Sequence, residues 1–333
     1  MTVKVAINGL GRIGRCVLRA IFENSNYSDI ELVAVNASTP YDTLIHLIKY
    51  DSVHLQFKHD ISYDEDNLVI NNKKIKILNN RNPENLPWKE LDIDVVFECT
   101  GAFASTNKSM LHINAGAKRV LISAPAKDEE TKTIIYGVNH NNINDSDKVI
   151  SVGSCTTNCL APIAKALNDE IGIEKGFMTT IHAYTNDQNI VDNAHKDLRR
   201  ARACAMSMIP TSTGAAKAIG KVLPELNSKL DGFAVRVPTP NVSMVDFSFL
   251  AARNTSLSEV NSIIKNYSQN SMKNVLRYVE EELVSIDFNH SDHSSSFDST
   301  QTRIIDNNFV KVCSWYDNEW AFSLRMLDIA KIL

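Results

Sequence analysis

The sequence predicts an α/β protein of two domains: a doubly wound parallel sheet over residues 1–153, then an α+β catalytic domain over 154–318 built on a mixed, partly antiparallel sheet. Three observations predict it. From Val3 to about Val152 short β-branched apolar runs alternate with longer amphipathic segments, as crossover units require. The first strand runs directly into Gly9-Leu10-Gly11-Arg12-Ile13-Gly14, a glycine-rich turn that opens a helix. After Ser154 the strands lengthen and are joined by long polar segments, which suits a sheet with one covered face.

Taken in order, Val3-Lys4-Val5-Ala6-Ile7 reads as a buried strand and residues 12–24 as a helix. Residues 30–35, 95–97 and 119–122 follow as further strands of the same sheet. Between them, residues 67–77 form two short β-prone runs around Asn71-Asn72, which predicts an inserted hairpin. In the second half a helix runs from Ser154 to about Ile171, followed by strands at 176–182, 232–237 and 243–251. The polar stretch 184–207 is too long for an ordinary connection and is expected to be functional or an interface. The last helix is expected at about 323–333.

The 333 residues carry 35 Lys+Arg against 39 Asp+Glu, a net charge of −4, so no global basic field draws the chain to nucleic acid or an anionic membrane. Any phosphate must be held locally. No apolar run approaches the ~20 residues that would span a bilayer, and Met1-Thr2-Val3-Lys4 begins no secretory signal. A cytoplasmic protein is expected. Six cysteines without a CxxC pair or a Cys/His ladder suggest neither a disulfide framework nor a metal site.

The glycine-rich turn gives the first specific chemistry. Its glycines allow a tight turn and close backbone approach, and the helix N-terminus behind them presents N–H groups and a positive dipole end to a pyrophosphate. With 12 glycines in 333 residues, such a triple arises by chance roughly 0.015 times per chain. The first domain is therefore read as a Rossmann-type dinucleotide-binding domain, with Asn8, Gly9, Gly11 and Gly14 at the turn. At the end of the second strand, where a carboxylate would bond the adenosine ribose, the chain has Val35-Asn36-Ala37-Ser38-Thr39. Ala37 and Ser38 remove the charge that would repel a 2′-phosphate and add a hydroxyl, so NADP is admitted beside NAD. In the alternative, Asn36 alone serves NAD.

Cys155, in Ser154-Cys155-Thr156-Thr157-Asn158-Cys159, lies at the start of the second-half helix, where the dipole should lower a thiol pKa from ~8.5. It is the candidate nucleophile, while Cys159 reads as a buried small hydrophobe. His182 ends a strand and precedes a polar segment, so it is the candidate base. Two anion sites are suggested: the hydroxyl-rich turn Thr211-Ser212-Thr213-Gly214, and Arg236 inside an apolar strand. A strand arginine ordinarily meets an internal carboxylate, here Asp246.

These residues together resemble phosphorylating glyceraldehyde-3-phosphate dehydrogenase over essentially the whole chain. The resemblance rests on residues 6–15, on Ser154-Cys155-Thr156-Thr157-Asn158-Cys159, on His182-Ala183-Tyr184-Thr185-Asn186-Asp187-Gln188, on Asp197-Leu198-Arg199-Arg200-Ala201-Arg202 and on Trp315-Tyr316-Asp317-Asn318-Glu319-Trp320. It implies a homotetramer, with helix 319–333 returning to the first domain and residues 184–207 at a subunit interface. It also implies that Cys155 forms a thiohemiacetal with glyceraldehyde 3-phosphate, and that His182 is the base. Inorganic phosphate then releases an acyl phosphate. The substrate phosphate is assigned to Thr185 and Arg236, and the attacking phosphate to Ser154, Thr156, Arg200, Thr213 and Gly214. Arg12 and Ile13 are assigned to the pyrophosphate, Arg81 and Ser123 to the groove, and Asn318 to the nicotinamide amide. Val152-Gly153, Phe322, Ala37 and Ala194 depart from the family pattern, the last two toward its NADP-accepting branch. Erythrose-4-phosphate dehydrogenase, which residues 283–290 and 300–303 resemble, and a non-enzymatic binding or redox-sensing role on the same fold are the competing readings.

Overall fold

The computed structural model describes residues 2–333, which divide into two compact units. The first comprises residues up to Ile134, His140–Ser154 and Phe322–Leu333; the second comprises Ile135–Asn139 and Cys155–Ala321.

The first unit contains, in order, β1 (Val3–Asn8), α1 (Arg12–Glu23), β2 (Ile30–Asn36), α2 (Tyr41–Lys49), the small ladder of β3 (Tyr50–Asp51) and β4 (Leu55–Gln56), then β5 (Ile61–Asp64), β6 (Asn67–Ile70), β7 (Lys73–Leu78), β8 (Val95–Glu98), α3 (Thr106–Asn114), β9 (Arg119–Ile122), β10 (Lys132–Thr133) and β11 (Val149–Ser151). Its main sheet has the spatial order β10-β11-β9-β8-β1-β2-β7-β6-β5. β1 pairs in parallel with β2 on one side and β8 on the other, so the winding reverses there. That reversal opens a crevice at the C-terminal ends of the strands, which is where ligands bind in such sheets. Central strands are buried on both faces: Val5, Ala6, Ile7, Val96 and Phe97 are at 0% exposure, as their unbroken apolar runs require.

The β6–β7 hairpin is not an insertion. Asn71 and Asn72 both have positive φ, 48° and 65°, as a two-residue turn matched to strand twist needs. Beyond the turn, β7 pairs in parallel with β2 and carries the main sheet outward. Alternation of Leu68, Ile70, Ile75 and Ile77 into the core makes this pairing favourable, because burying each such side chain stabilises by about 1.5–3 kcal/mol.

The second unit contains α4 (Cys155–Ile171), β12 (Ile173–Ala183), β13 (Ile209–Ser212), α5 (Ala215–Val222), β14 (Leu230–Val237), β15 (Ser243–Ala251), α6 (Leu257–Gln269), β16 (Leu276–Val279), β17 (Ser295–Ile305) and β18 (Phe309–Tyr316). Its sheet runs β13-β14-β12-β15-β18-β17-β16, with parallel and antiparallel pairs mixed. One face is covered by α4, whose Cys159, Leu160, Ile163, Ala164 and Leu167 are at 0% exposure. This burial fixes the helix axis and hence the place of Cys155 at its first turn.

Asp317 caps the last helix, α7 (Trp320–Ala330), by accepting from the backbone N–H of Glu319 and Trp320 at 2.8 Å each. From Phe322 onward the chain belongs to the first unit. There Tyr27 donates to Asp328 at 2.9 Å, and Arg119 donates to the Leu333 carbonyl at 2.5 Å. Residues 184–208 hold no helix or strand. Asp192 accepts from the Ala203 N–H at 2.9 Å, and the Cys204 N–H donates to the Asn189 carbonyl at 3.0 Å, so the segment is tied by its own bonds. No helix of the described residues is long and apolar enough to cross a membrane.

Candidate active site

In the first unit a cavity of about 580 Å³ lies at the C-terminal ends of β1, β2, β7 and β8. Asn8, Gly9, Gly11, Asn36, Ala37, Ser38 and Arg81 line it. Gly9 sits at φ +95°, a conformation that favours glycine, with the Thr100 backbone 2.9 Å from where a Cβ would stand. At Gly11, the uncapped N-cap of α1, a Cβ would meet nothing within 4 Å. An uncapped helix start open to a groove is the cradle that a pyrophosphate needs.

Several predicted cofactor residues serve this groove indirectly. Gly14 faces away from it: a Cβ there would stand 2.0 Å from the Gly9 carbonyl oxygen, so its absence lets α1 pack onto the turn. Ile13 does not line the cavity either. The Arg12 guanidinium grips Asp51 at 2.5 and 3.1 Å. Burial pushes the Asp51 carboxyl up, but Arg12 and the backbone N–H groups of His54 and Val53 hold it well below the usual carboxylate range. Arg12 therefore contributes its place in the first turn rather than its charge. Ser123 touches Cys99, which lines the groove, and burial pushes the Cys99 thiol up to about 12.

Asn36 corrects the sequence reading. Its amide nitrogen donates to Asn8 at 2.6 Å and to the Asn80 carbonyl at 2.8 Å, and its oxygen accepts from the Asn80 N–H at 2.9 Å. Both donors are spent inside the protein, so the side chain has none for a ribose. It pins the Asn79-Asn80-Arg81 loop against the end of β2 instead. Asn8 in turn donates to Glu98 at 2.5 Å, and Glu98 accepts from the backbone N–H and hydroxyl of Thr100. This buried chain of amides and a carboxylate rigidifies three of the loops that line the cavity. Thr100, Asn79 and Asn80 escaped sequence reasoning, although loops following parallel strands at a reversal of winding were the signal.

In the second unit the Cys155 Sγ lies 3.5 Å from His182 Nε2. The register of β12 on β14 sets Arg236 opposite His182, and the guanidinium Nη1 reaches His182 Nδ1 at 2.7 Å. Asp246 is not its partner; that carboxylate pairs with Lys311 at 3.2 Å. Nε of Arg236 is buried without a hydrogen bond. A cation held this way is a ready anion site. The thiol does not follow the helix-dipole expectation: burial pushes Cys155 up, with Arg236 pulling it down in opposition. Burial, and then the Arg236 charge, bring His182 down to about 3, so the imidazole is neutral. Cys159 is fully buried against Ser295 and Ser314, and burial raises it to about 12.

Arg200 is held by Asp187, by Thr211 Oγ1 at 2.9 Å and by the Ser212 carbonyl at 3.3 Å, beside Thr213 and Gly214. At Gly214, the uncapped N-cap of α5, a Cβ would meet nothing within 4 Å. Thr156 is turned inward: its hydroxyl meets the Tyr316 hydroxyl at 2.8 Å, which also meets Thr180 at 2.9 Å. Ser154 and Thr185 are part-buried, next to Cys155 and beyond the end of β12 respectively. Asn318 is 6% exposed and accepts from Ser243 at 2.9 Å. Gly153 takes φ +71°, so glycine suits the position before Ser154. A larger cavity of about 870 Å³ beside Phe177, Lys217 and Phe309 contains none of these residues.

Residues 154–318 match the family model for the glyceraldehyde 3-phosphate dehydrogenase C-terminal domain, and residues 3–106 match that for its NAD binding domain. The chain is 56% identical over 330 residues to a glyceraldehyde-3-phosphate dehydrogenase of Xanthobacter flavus, covering 99% of this chain and 98% of the relative. It is 54% identical over 333 residues to the chromosomal enzyme of that name in Cupriavidus necator, covering 100% and 99%. With glyceraldehyde-3-phosphate dehydrogenase 2 of Bacillus subtilis it shares 51% identity over 333 residues, covering 99% and 96%.

Proposed function

The chain belongs to the glyceraldehyde-3-phosphate dehydrogenase family, and from that premise we propose that it converts D-glyceraldehyde 3-phosphate and inorganic phosphate reversibly to an acyl phosphate, using Cys155 and His182 as its catalytic pair. The observation that carries this reading is the Sγ to Nε2 distance of 3.5 Å, with Arg236 on the far side of the same imidazole. When bound, a nicotinamide dinucleotide supplies the hydride acceptor. The residues of the first-unit cavity fit such a group: an uncapped helix start at Gly11, close backbone approach at Gly9, and loops pinned through Asn36 and Glu98.

The protein's own part begins with the thiol. Its proton passes to His182 Nε2, and the sulfur bonds to the aldehyde carbon to give a thiohemiacetal. The Cys155 backbone N–H and the imidazolium are placed to stabilise the oxyanion. The imidazolium returns its proton to that oxygen to complete the hydroxyl, and the neutral His182 takes it back as the carbon is oxidised to a thioester. Inorganic phosphate attacks that carbon, the C–S bond breaks and the thiolate is regenerated. Arg236 and Thr185 suit the substrate phosphate; Arg200, Ser154, Thr213 and Gly214 suit the attacking one, with Thr156 contributing through its position beside them. The five departures from the family pattern leave this chemistry intact, and the triose substrate is favoured over erythrose 4-phosphate by the family of every relative named above.

Either NAD or NADP serves as the cofactor, with NADP tolerated because Ala37 and Ser38 face the cavity where a carboxylate would repel its 2′-phosphate. Arg81 supports this: its loop follows β7 and Ser38 follows β2, adjacent parallel strands, so a cation stands at the same edge. The first unit is thus the cofactor domain and the second the substrate domain. Ile190, Val191, Leu198, Met206 and Met208 are 70–87% exposed on or beside segment 184–207, apolar surface that suits a homotetramer interface.

The test is kcat/KM for glyceraldehyde 3-phosphate plus phosphate with each cofactor, and with erythrose 4-phosphate as the competing substrate. Turnover of the triose with both cofactors is expected; preference for erythrose 4-phosphate would reject the substrate assignment. In the same assay Ala37→Asp is expected to lower kcat/KM for NADP by about 10–100-fold through like-charge repulsion, while NAD gains a ribose partner. An unchanged cofactor ratio would place selectivity elsewhere.

A further inference from the structure

A chain of hydrogen bonds runs from Trp88, outside the lining of the first-unit cavity, to Asn80 on its wall. The Trp88 indole N–H can only donate, and it reaches His112 Nδ1 at 2.9 Å, so that nitrogen keeps its lone pair. The neutral ring then carries its proton on Nε2 and donates it to Glu98 Oε2 at 3.2 Å. Backbone fixes the other end. Asn80 offers its N–H to Asn36 Oδ1 at 2.9 Å and its carbonyl to Asn36 Nδ2 at 2.8 Å. Asn36 Nδ2 also faces Asn8, which must therefore present its oxygen, at 2.6 Å. Asn8 Nδ2 is left to donate to Glu98 Oε2 at 2.5 Å.

Glu98 joins the two ends. Its Oε2 accepts from His112 and Asn8, and its Oε1 accepts from the Thr100 hydroxyl and, at 2.8 Å, from the Thr100 N–H. Trp88, His112, Glu98, Asn8 and Asn36 are 0–7% exposed, so water does not replace a lost partner. Each amide has one orientation that satisfies the chain, and that orientation needs an acceptor at Glu98 Oε2. We propose that Glu98 is a positioning residue which, through the amide orientations of Asn8 and Asn36, holds the Asn79-Asn80-Arg81 loop and so sets the discrimination between NADP and NAD. The inference rests on the reading of this cavity as the dinucleotide site, with Arg81 at the edge where Ser38 admits a 2′-phosphate. A donor in place of Oε2 would turn Asn8 over, and its nitrogen would then face Asn36. Asn36 would turn in response, setting oxygen against the Asn80 carbonyl and nitrogen against the Asn80 N–H. Both bonds that pin the loop would be lost.

Glu98→Gln supplies such a donor at unchanged size. Turned the other way, its nitrogen would meet the Thr100 N–H, beside the seat of Gly9, so neither orientation satisfies the chain. Adding Asn8→Asp repairs it with the net charge unchanged. The aspartate accepts from the new glutamine, from Asn36 Nδ2 and from His112 Nε2, which lies 3.4 Å from Asn8 Nδ2.

The experiment is calorimetric titration of the wild type, both single variants and the double variant with NADP and with NAD, beside thermal melting of each. Glu98→Gln is expected to raise Kd for NADP about tenfold, the scale of one buried hydrogen bond, and Kd for NAD by less, because only NADP has a phosphate to lose at Arg81. The double variant is expected to return both to within about threefold of the wild type. A lowered Tm with an unmoved ratio of the two Kd values would make Glu98 a structural residue alone and overturn the proposal. A double variant as impaired as Glu98→Gln overturns it too. Should Glu98→Gln not fold, the test passes to His112: His112→Gln keeps an acceptor for Trp88 and a donor for Glu98 and is expected to bind NADP as the wild type does, whereas His112→Leu leaves Oε2 a donor short and weakens it. Equal affinities in that pair sink the proposal. A wild type that binds neither dinucleotide rejects the reading of the cavity itself, while wild-type binding with indifferent variants rejects the role of Glu98 alone.

Discussion

Cys155→Ser is expected to lower turnover of glyceraldehyde 3-phosphate by at least ~10⁴-fold, the scale on which removing a covalent nucleophile acts. The change is one atom, and its effect comes from acidity and from the intermediate. A serine hydroxyl on the same buried turn has no accessible anion at neutral pH, whereas a thiol needs only a modest bias to ionise. Burial already works against ionisation of Cys155, with Arg236 as the opposing influence, so an oxygen in that place stays protonated. The oxygen ester it would form is also a poorer acyl donor to phosphate than a thioester. Dinucleotide affinity is expected to stay within about twofold, because the cavity is built from Asn8, Gly9, Gly11, Asn36, Ala37 and the loops after β7 and β8, all within the first unit, whereas Cys155 belongs to the second. Steady-state rates and calorimetric titration with NAD and NADP check the two halves. Turnover that survives the substitution would remove the covalent mechanism.

What the sequence made legible, and what it hid, divides by range. Gly9, Gly11 and Gly14 declare themselves because a strand, a turn and a helix start are local, and Cys155 and His182 because each sits at an element boundary that periodicity locates. Asn36 misleads for the opposite reason. Its amide is consumed by Asn8 and Asn80, 28 and 44 residues away, and no spacing rule reports such partners. Arg236 was read as an anion site, with an internal carboxylate such as Asp246 as the alternative; strand register sets it opposite His182 while Lys311 takes the aspartate, so the alternative falls. The Cys155 acidity was read from its helix position alone, whereas burial, a tertiary quantity, carries more weight in the folded protein. The β6–β7 hairpin looked like an insertion because its chemistry is silent; only its pairing with β2 shows that it extends the sheet and brings Arg81 to the cavity.

His182→Asn separates the base from the nucleophile. Loss of a positioned general base is expected to lower kcat by about 10²–10⁴-fold at neutral pH. The asparagine amide still donates to an oxyanion, so KM for the aldehyde should move far less than kcat. The pH profile carries the sharper signature. Attack requires the thiolate, so activity rises with pH as Cys155 ionises. In the wild type the imidazole accepts the thiol proton and shifts that rise downward. Without it the burial-raised thiol titrates alone, and the rise moves to higher pH. The deficit of His182→Asn should therefore shrink as pH increases, whereas that of Cys155→Ser stays at every pH. The double variant should be no worse than Cys155→Ser alone, because two groups acting as one unit do not add. A His182→Asn enzyme whose pH profile overlays the wild type would mean that another group takes the proton, and the 3.5 Å approach of Nε2 to Sγ would then be packing rather than chemistry.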